Sequence, residues 1–358
     1  MSPKKTSLYP VHEKLGASFT DFGGWDMPLK YANDVAEHEA VRTRAGIFDL
    51  SHMGEFRVTG PDAGAFLDYA LVSNMSILKV GKAKYSILVN DKGGVIDDLI
   101  TYRLGDEEFM VVPNASNIDT DFAAMSERLG DFNVEFVNES DQTSLVAVQG
   151  PRAEEILLAA GVSDEEAVRE LKYYASVPLT VAGVDVLLAR TGYTGEDGFE
   201  LFVPNENAVE LWDKLAAAGE PFGMIPAGLA SRDSLRLEAG MPLYGHELGL
   251  EITPFESGLG RLVEIALPLH FFLFPTFILG SGVHVQVCYM GKLHVAGVQT
   301  HSFCQAMCYL GATVTSLNTL SLGRTLSVTG IETFQPFSTF STGLRSYRIS
   351  FASRYITP

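Results

Sequence analysis

Between residues 84 and 114 the chain runs through three short stretches, KYSILVN, VIDDLITYRL and EFMVVPN, each rich in β-branched or aromatic residues. Asp91-Lys92-Gly93-Gly94 separates the first two and Gly105-Asp106 the second and third. Strands this short with turn residues between them predict a three-stranded meander, the feature that most narrows the fold. Helical patterns flank the meander, over 35–45, from Pro61 through PDAGAFLDYALV, and over 116–128. Gln149-Gly150-Pro151 turns into the helix RAEEILLAAG, and further helices are predicted over 207–218 and 227–239. Strands and helices therefore mix without a sustained βαβ rhythm, which predicts an α+β fold.

Residues 184–203 alternate apolar and polar on both sides of the loop RTGYTGEDGFE, 190–200, and predict a second hairpin. Asp197-Gly198 is a turn signal, and Gly192 and Gly195 permit positive φ. Three readings of the loop are open: a solvated tip, a calcium loop, or a rim that holds a polar ligand. The alternating oxygen ligands of an EF-hand are missing. Glu200 opens the exit strand, where a carboxylate can be aimed rigidly at a flat amidine-like edge.

In VIDDLITY, neighbouring residues point to opposite faces of the strand, so one of Asp97 and Asp98 is expected inside and the other toward water. Both could also be solvated near a strand end; the inward one could carry a perturbed carboxyl suited to proton chemistry. The helix AGLASRDSLRLEAG, 227–240, carries Arg232, Asp233, Arg236 and Glu238. It reads either as an exposed salt-bridged face or as the source of an arginine fork for an anionic ligand. His52 and Met53 in SHMGEF read first as packing residues. No His/Cys/carboxylate set has metal-ligand spacing, and His301, Cys304 and Cys308 lack a fourth ligand. No nucleotide-binding glycine motif or nucleophile elbow is present.

The 358 residues carry 26 Lys and Arg against 44 Asp and Glu, a net charge of −18. A phosphate backbone calls for a basic face, so nucleic acid is not an expected partner. The three cysteines do not make a disulfide framework, which suits a reducing compartment. MSPKKTSLYP has neither the apolar core of a secretory signal nor an arginine-rich transit pattern. The most apolar run, LPLHFFLFPTFIL, is shorter than the ~20 residues a bilayer span requires. The expected location is cytoplasmic, with no membrane partner.

FGGWDMPLKY, FDLSHMGEF, GGVIDDLITY, ARTGYTGEDGFELFVP, AGLASRDSLRLEAGMPLYGHEL and TPFESGLGRLVE occur in this order. Together, over residues 8–265, they resemble the aminomethyltransferase (T protein) family of the glycine cleavage system. The resemblance implies a multi-domain folate-binding fold: residues 1–265 form two intertwined subdomains, and 266–358 a C-terminal β-barrel. It implies transfer of a methylene group from the aminomethyl-lipoyl arm of the H protein to tetrahydrofolate, releasing ammonia, with no metal. By position in these motifs, Asp98 would lie beside the reactive folate nitrogens, and Glu200 would hold the pterin edge. Tyr193, Arg232, Asn114, Tyr85 and Met53 would complete the cavity. Two alternatives stay open: a folate-dependent demethylase of a small methylated donor, and a catalytically impaired folate-binding relative.

The resemblance stops near residue 266. Residues 267–358 contain one acidic residue, Glu332, and all three cysteines. GATVTSLNTLSLG, 311–323, is the one echo of the family's barrel, and Arg345, Arg348 and Arg354 sit in no matching context. This tail is either the product of a shifted reading frame or alternative terminal exon, or a diverged barrel.

Overall fold

The computed structural model describes residues 2–264 and two three-residue strands, Phe277–Leu279 and Val283–Val285. Apart from those strands, the expected barrel, the three cysteines and the late arginines lie outside the described residues. Contacts divide the chain into two compact units, residues 1–89 with 95–251, and residues 90–94 with 252–358. In the second, Asn90–Gly94 forms a turn, Gly260–Leu262 a single 3₁₀ turn, and the two short strands pair antiparallel.

The first unit begins with helix α1 (Tyr9–Lys14), a hairpin of β1 (Ser18–Phe22) and β2 (Trp25–Lys30), helix α2 (Asp34–Thr43) and strand β3 (Gly46–Asp49). Strand β4 (Phe56–Thr59) and helix α3 (Ala63–Ala70) lead into the meander of β5 (Ala83–Val89), β6 (Val95–Gly105) and β7 (Glu108–Val112). Helix α4 (Ile118–Ser126), strands β8 (Glu135–Asn138) and β9 (Thr143–Gln149), and helices α5 (Ala153–Ala160) and α6 (Glu165–Glu170) follow. The last part holds β10 (Ser176–Val181), β11 (Val184–Ala189), β12 (Gly198–Pro204), α7 (Asn205–Gly219), β13 (Ile225–Pro226) and α8 (Leu229–Glu238).

The meander is extended into a five-stranded sheet of order β5-β6-β7-β4-β8. The second hairpin is extended into a six-stranded sheet of order β10-β11-β12-β9-β3-β13, antiparallel except where β13 runs parallel to β3. All six predicted helices are present, with ends shifted by a residue or two. The hairpin β1–β2, strands β3, β4, β8, β9, β10 and β13, and helices α1 and α6 were not foreseen. In the first of these the turn signal Gly23-Gly24 was available, and both glycines are left-handed, at φ 61° and 86°.

Period-two alternation explains the layers. Phe199, Leu201 and Val203 of β12 point into a core with Ile156 and Leu157 of α5 and Leu211, Trp212 and Leu215 of α7. Glu200 and Phe202 therefore point the other way. On the five-stranded sheet, Phe109 and Val111 of β7 pack against Phe66 and Leu67 of α3 and Met125 of α4. Tyr102 of β6 and Met110 and Val112 of β7 face inward and meet Phe48, Ala147, Ala189 and Phe202 of the other sheet. The two sheets thus share a middle core, with helices on their outer faces.

Gly150 ends β9 where the chain passes against α2. Its φ is +133°, and a Cβ there would lie 2.6 Å from the Arg44 carbonyl oxygen and 2.7 Å from that of Val41. Both obstacles are backbone and cannot rotate away. Gly150→Ala is expected to cost about 3 kcal/mol, read as a lowered midpoint with an unchanged slope in urea unfolding.

Candidate functional site

Near the middle core the inner faces of the two sheets do not fill the space between them. A cavity of about 1060 Å³ of atom-free space, counting its open mouth, is lined by residues that include Asp98, Tyr85, Asn114, Glu200, Tyr193, Arg232 and Met53. All seven residues singled out in the sequence line it. Phe22, His52, Tyr174 and Met241 line it too. Among the described residues no group of three or more His, Cys, Asp or Glu could hold a metal ion, and no helix is long and apolar enough to cross a membrane.

Asp98 reaches the cavity from β6. Ile87 of β5 pairs with it, so Tyr85, two residues earlier, lies on the same face and one diagonal step away. The Tyr85 hydroxyl donates to Asp98 Oδ2 at 2.9 Å and the Asn114 amide donates to Oδ1 at 3.0 Å. Burial, and then the charge of Asp97, push the Asp98 carboxyl up to about 7; the Tyr85 and Asn114 hydrogen bonds oppose that rise. The two aspartates do face opposite ways, but Asp97 does not face water: it is fully buried, because the loop after β7 and α4 cover that face.

Glu200 reaches the cavity from β12, opposite Ala189 of β11 and Ala147 of β9. These small neighbours leave room for its carboxylate. The Thr191 hydroxyl donates to Glu200 Oε2, which leaves the Tyr102 hydroxyl to donate to Thr191 Oγ1 at 2.9 Å. Burial raises the Glu200 carboxyl, while Thr191, Arg232 and Tyr102 hold it back.

The loop between β11 and β12 is not a solvated tip, and its acids do not converge as calcium ligands would. Asp197 takes a two-pronged bond from Arg190 at 2.8 and 2.5 Å, Glu196 accepts from Arg42 at 3.0 Å, and Glu200 points inward. Only Gly195 is left-handed, at φ +79°. Gly192 and Gly198 serve a different need than the turn expected of them. The Gln149 side chain lies against both, and a Cβ at either position would overlap its carboxamide. Gln149 Nε2 donates to the Thr191 carbonyl at 3.0 Å, and Oε1 accepts from Thr194 at 2.9 Å. One buried amide thus sets the course of the loop.

Arg232 sits on α8 with its guanidinium 4.8 Å from the centre of the Tyr193 ring. That ring is anchored by its hydroxyl, which donates to the Pro242 carbonyl. Burial lowers the Arg232 guanidinium and Glu200 counters that fall. Four residues on, Arg236 donates to Asp233 at 2.8 Å and to Glu247 at 2.7 Å. Arg236 thus carries the salt-bridged reading of this helix, although it is buried rather than exposed, and Arg232 lines the cavity.

His52 was read as packing, and it does pack edge-on against Phe22. It is also a wall of the cavity, with Nδ1 buried and, among the described residues, unpartnered. Burial and the nearby Arg232 pull it down to about 4, so it is neutral at physiological pH. Tyr174 was missed altogether. It holds φ at +57°, a value uncommon outside glycine, fixed by backbone bonds to Arg190 and Ala83.

The cavity can therefore take a flat, polar molecule. It offers a rigid carboxylate on one wall, a guanidinium over an aromatic ring, thioether and tyrosine surfaces, and a second carboxylate poised to exchange a proton near neutral pH.

Comparison with known proteins gives this arrangement a context. The GCVT N-terminal domain family matches residues 8–266. The aminomethyltransferase of Corynebacterium jeikeium is 57% identical over 272 residues, 72% of this chain and 70% of that protein. That of Streptomyces coelicolor is 55% identical over 261 residues, 73% of this chain and 69% of that protein. In three dimensions the chain is similar to the glycine cleavage system aminomethyltransferase T from Bartonella henselae, with a TM-score of 0.68 and 40% identity over 74% of this chain and 70% of that one. With this family match, this identity and this likeness of fold, the chain belongs to the aminomethyltransferase family of the glycine cleavage system and is a one-carbon transferase of α+β fold.

Proposed function

We propose that this chain moves the methylene group from the aminomethyl-lipoyl arm of a lipoylated H protein to tetrahydrofolate in the cytoplasm, releasing ammonia. The observation that carries the reading is the convergence of Asp98, Tyr85, Asn114, Glu200, Tyr193, Arg232 and Met53 on one cavity. The donor set fits a reduced folate. A pterin has a flat edge with parallel N–H donors, which a carboxylate held like Glu200 can accept in pairs. Tyr85, Tyr193 and Met53 offer the apolar walls a fused ring needs, and Arg232 offers a cation on the ligand side of its helix. When bound, tetrahydrofolate supplies the nitrogens that take up the one-carbon unit.

The chain's own part is positioning and charge. Ionised, Asp98 takes up a proton at its carboxylate and stabilises positive charge that develops nearby. Tyr85 and Asn114 hold that carboxylate in one orientation through both of its oxygens. Because its proton leaves near pH 7 rather than at the ordinary 3.8, it can both accept and return one under working conditions. Glu200 is fixed from behind by Thr191 and Tyr102, so it binds without reorganising.

Calorimetric titration with tetrahydrofolate under oxygen-free, reducing conditions, followed by a transfer assay with lipoylated H protein, tests the reading. Saturable binding and transfer support it; a folded chain that binds no folate overturns it. Asp98→Asn is expected to bind tetrahydrofolate within a few-fold of wild type and to lose on the order of 10²-fold or more in kcat. Undiminished turnover would remove Asp98 from the mechanism. Glu200→Ala should weaken folate binding itself by roughly 2 kcal/mol, and equal affinity in the same titration would contradict its role.

Turnover should rise with pH through about 7, as Asp98 ionises. Stability should move the opposite way. Between the ordinary 3.8 and about 7 the folded state keeps this proton and the unfolded state does not. The folded state thus binds more protons in that window, so this group's contribution to stability falls as pH climbs through it. Asp98→Asn does not titrate. Its Tm relative to wild type should therefore be higher at pH 7.5 than at pH 4, by roughly 5 °C, measured by calorimetric scans at the two pH values.

A further inference from the structure

Behind Asp98, on the other face of β6, lies a second layer of polar groups that the transfer reaction as described does not use. Asp97 accepts three N–H bonds there. The Asn114 backbone donates to Oδ2 at 2.9 Å, and the side-chain amides of Asn114 and Asn117 donate to Oδ1 at 2.9 and 2.7 Å. The Asn114 amide is shared: it also donates to the Asp98 carboxylate and to the Asp98 carbonyl oxygen, both at 3.0 Å. One carboxamide is thus gripped from behind by Asp97 and presented forward to Asp98.

Asp121, in the first turn of α4, completes the layer. It is fully buried, and among the described residues no donor reaches either of its oxygens. A bare carboxylate in that place would be a buried charge beside a second one, which Arg128 offsets only in part. Carrying a proton, Asp121 becomes a donor instead, with the Asp97 carboxylate beside it as acceptor. Burial first, and then the charge of Asp97, push the Asp121 carboxyl up to about 11. Asp97, with three N–H donors, is the ionised member.

We propose that Asp97 and Asp121 are a positioning pair for the transfer reaction: Asp121 keeps a proton and donates it in a hydrogen bond to ionised Asp97, Asp97 locks Asn114, and Asn114 aims the Asp98 carboxylate into the cavity. The proposal rests on the reading of Asp98 as the acting group. The pair also acts through charge, since Asp97 raises the Asp98 carboxyl. Among the described residues the other groups within electrostatic reach are Tyr85 on β5, Arg128 beyond α4, Tyr244 on the loop after α8, and Tyr174 and Tyr193 on the cavity side. Arg128 also donates to the Val89 carbonyl at 2.6 Å.

Infrared difference spectra of the full-length protein without folate read the shared proton directly. At pH 8 wild type should show the carbonyl stretch of neutral carboxyl groups, and Asp121→Asn should lose part of it. Glu55, raised by burial and with no donor among the described residues, contributes to what remains. In the transfer assay, Asp97→Asn should lower kcat on the order of tenfold or more with KM for tetrahydrofolate within about twofold. The midpoint of its pH–rate profile should move down by roughly one unit, as the charge behind Asp98 is gone. Asp121→Ala should lower kcat in the same way, and Asp121→Asn should restore most of that loss, because its amide donates to Asp97 as the acid does. An unshifted profile in folded Asp97→Asn overturns the proposal, as does a neutral-carboxyl band that Asp121→Asn leaves intact. If Asp97→Asn does not fold, equal activity of Asp121→Asn and Asp121→Ala overturns it instead. Absence of transfer in wild type counts against the reading of Asp98, and the infrared result then decides the shared proton alone.

Discussion

The alternation of side chains along β6 and β12 is the constraint on which the site depends. Tyr102 and Phe202 must face each other across the middle core, because each sheet already spends its other face on helices. A strand cannot send Tyr102 inward without also sending Asp98 inward, four residues earlier, nor Phe202 without Glu200. The two carboxylates are therefore buried by the same register that builds the core. A slip of one residue in either strand would turn the acids into the helix-covered face and cost the apolar layers on both sides. Stability and chemistry share one register here, and neither can be adjusted without the other.

Burial at this depth would be ruinous for an unsupported carboxylate. Each acid in the cavity is consequently backed by neutral donors rather than by a directly paired cation. Thr191 and Tyr102 support Glu200, and Tyr85 and Asn114 support Asp98. Neutral donors stabilise a carboxylate less than a guanidinium would, so both groups stay raised and responsive. A directly paired arginine would have held either acid permanently ionised. Arg232 stands close enough to Glu200 to temper it, and it stacks on Tyr193 instead of closing an ion pair.

What the sequence revealed follows the range of the interactions. The meander, the β11–β12 hairpin and the six helices rest on local periodicity and turn residues, and all are present. The facing of Asp98 away from Asp97 is also local. Their difference in environment is not, because Asp97 is covered by Asn114 and Asn117, 17 and 20 residues along the chain. Gln149 looked like part of a turn, yet it shapes a loop whose Thr191 lies 42 residues away. Gly192 and Gly198 carried a visible signal, but the signal was misread. Their lack of a side chain accommodates a buried amide rather than a left-handed turn. Tyr174 had no signal: no turn motif marks its positive φ, which is imposed by backbone bonds to two other strand ends. The seven cavity residues became legible only as an ordered set of motifs, since each alone has a commonplace structural explanation.

Helix α8 shows how one local pattern can serve both stability and binding. Arg232 and Arg236 are one turn apart and so lie on the same face. Arg236 is committed to Asp233 and Glu247 and holds the following loop, where Leu243 also donates to Glu247 at 3.0 Å. That loop includes Pro242, whose carbonyl anchors Tyr193, and the Tyr193 ring in turn bears the Arg232 guanidinium. The second arginine thus fixes the loop that fixes the ring that orients the first. Rigidity of the rim comes from this closed circuit of contacts. It explains why an arginine with no carboxylate partner among the described residues can still be held in place over the cavity, at the cost of its neighbour being fully engaged.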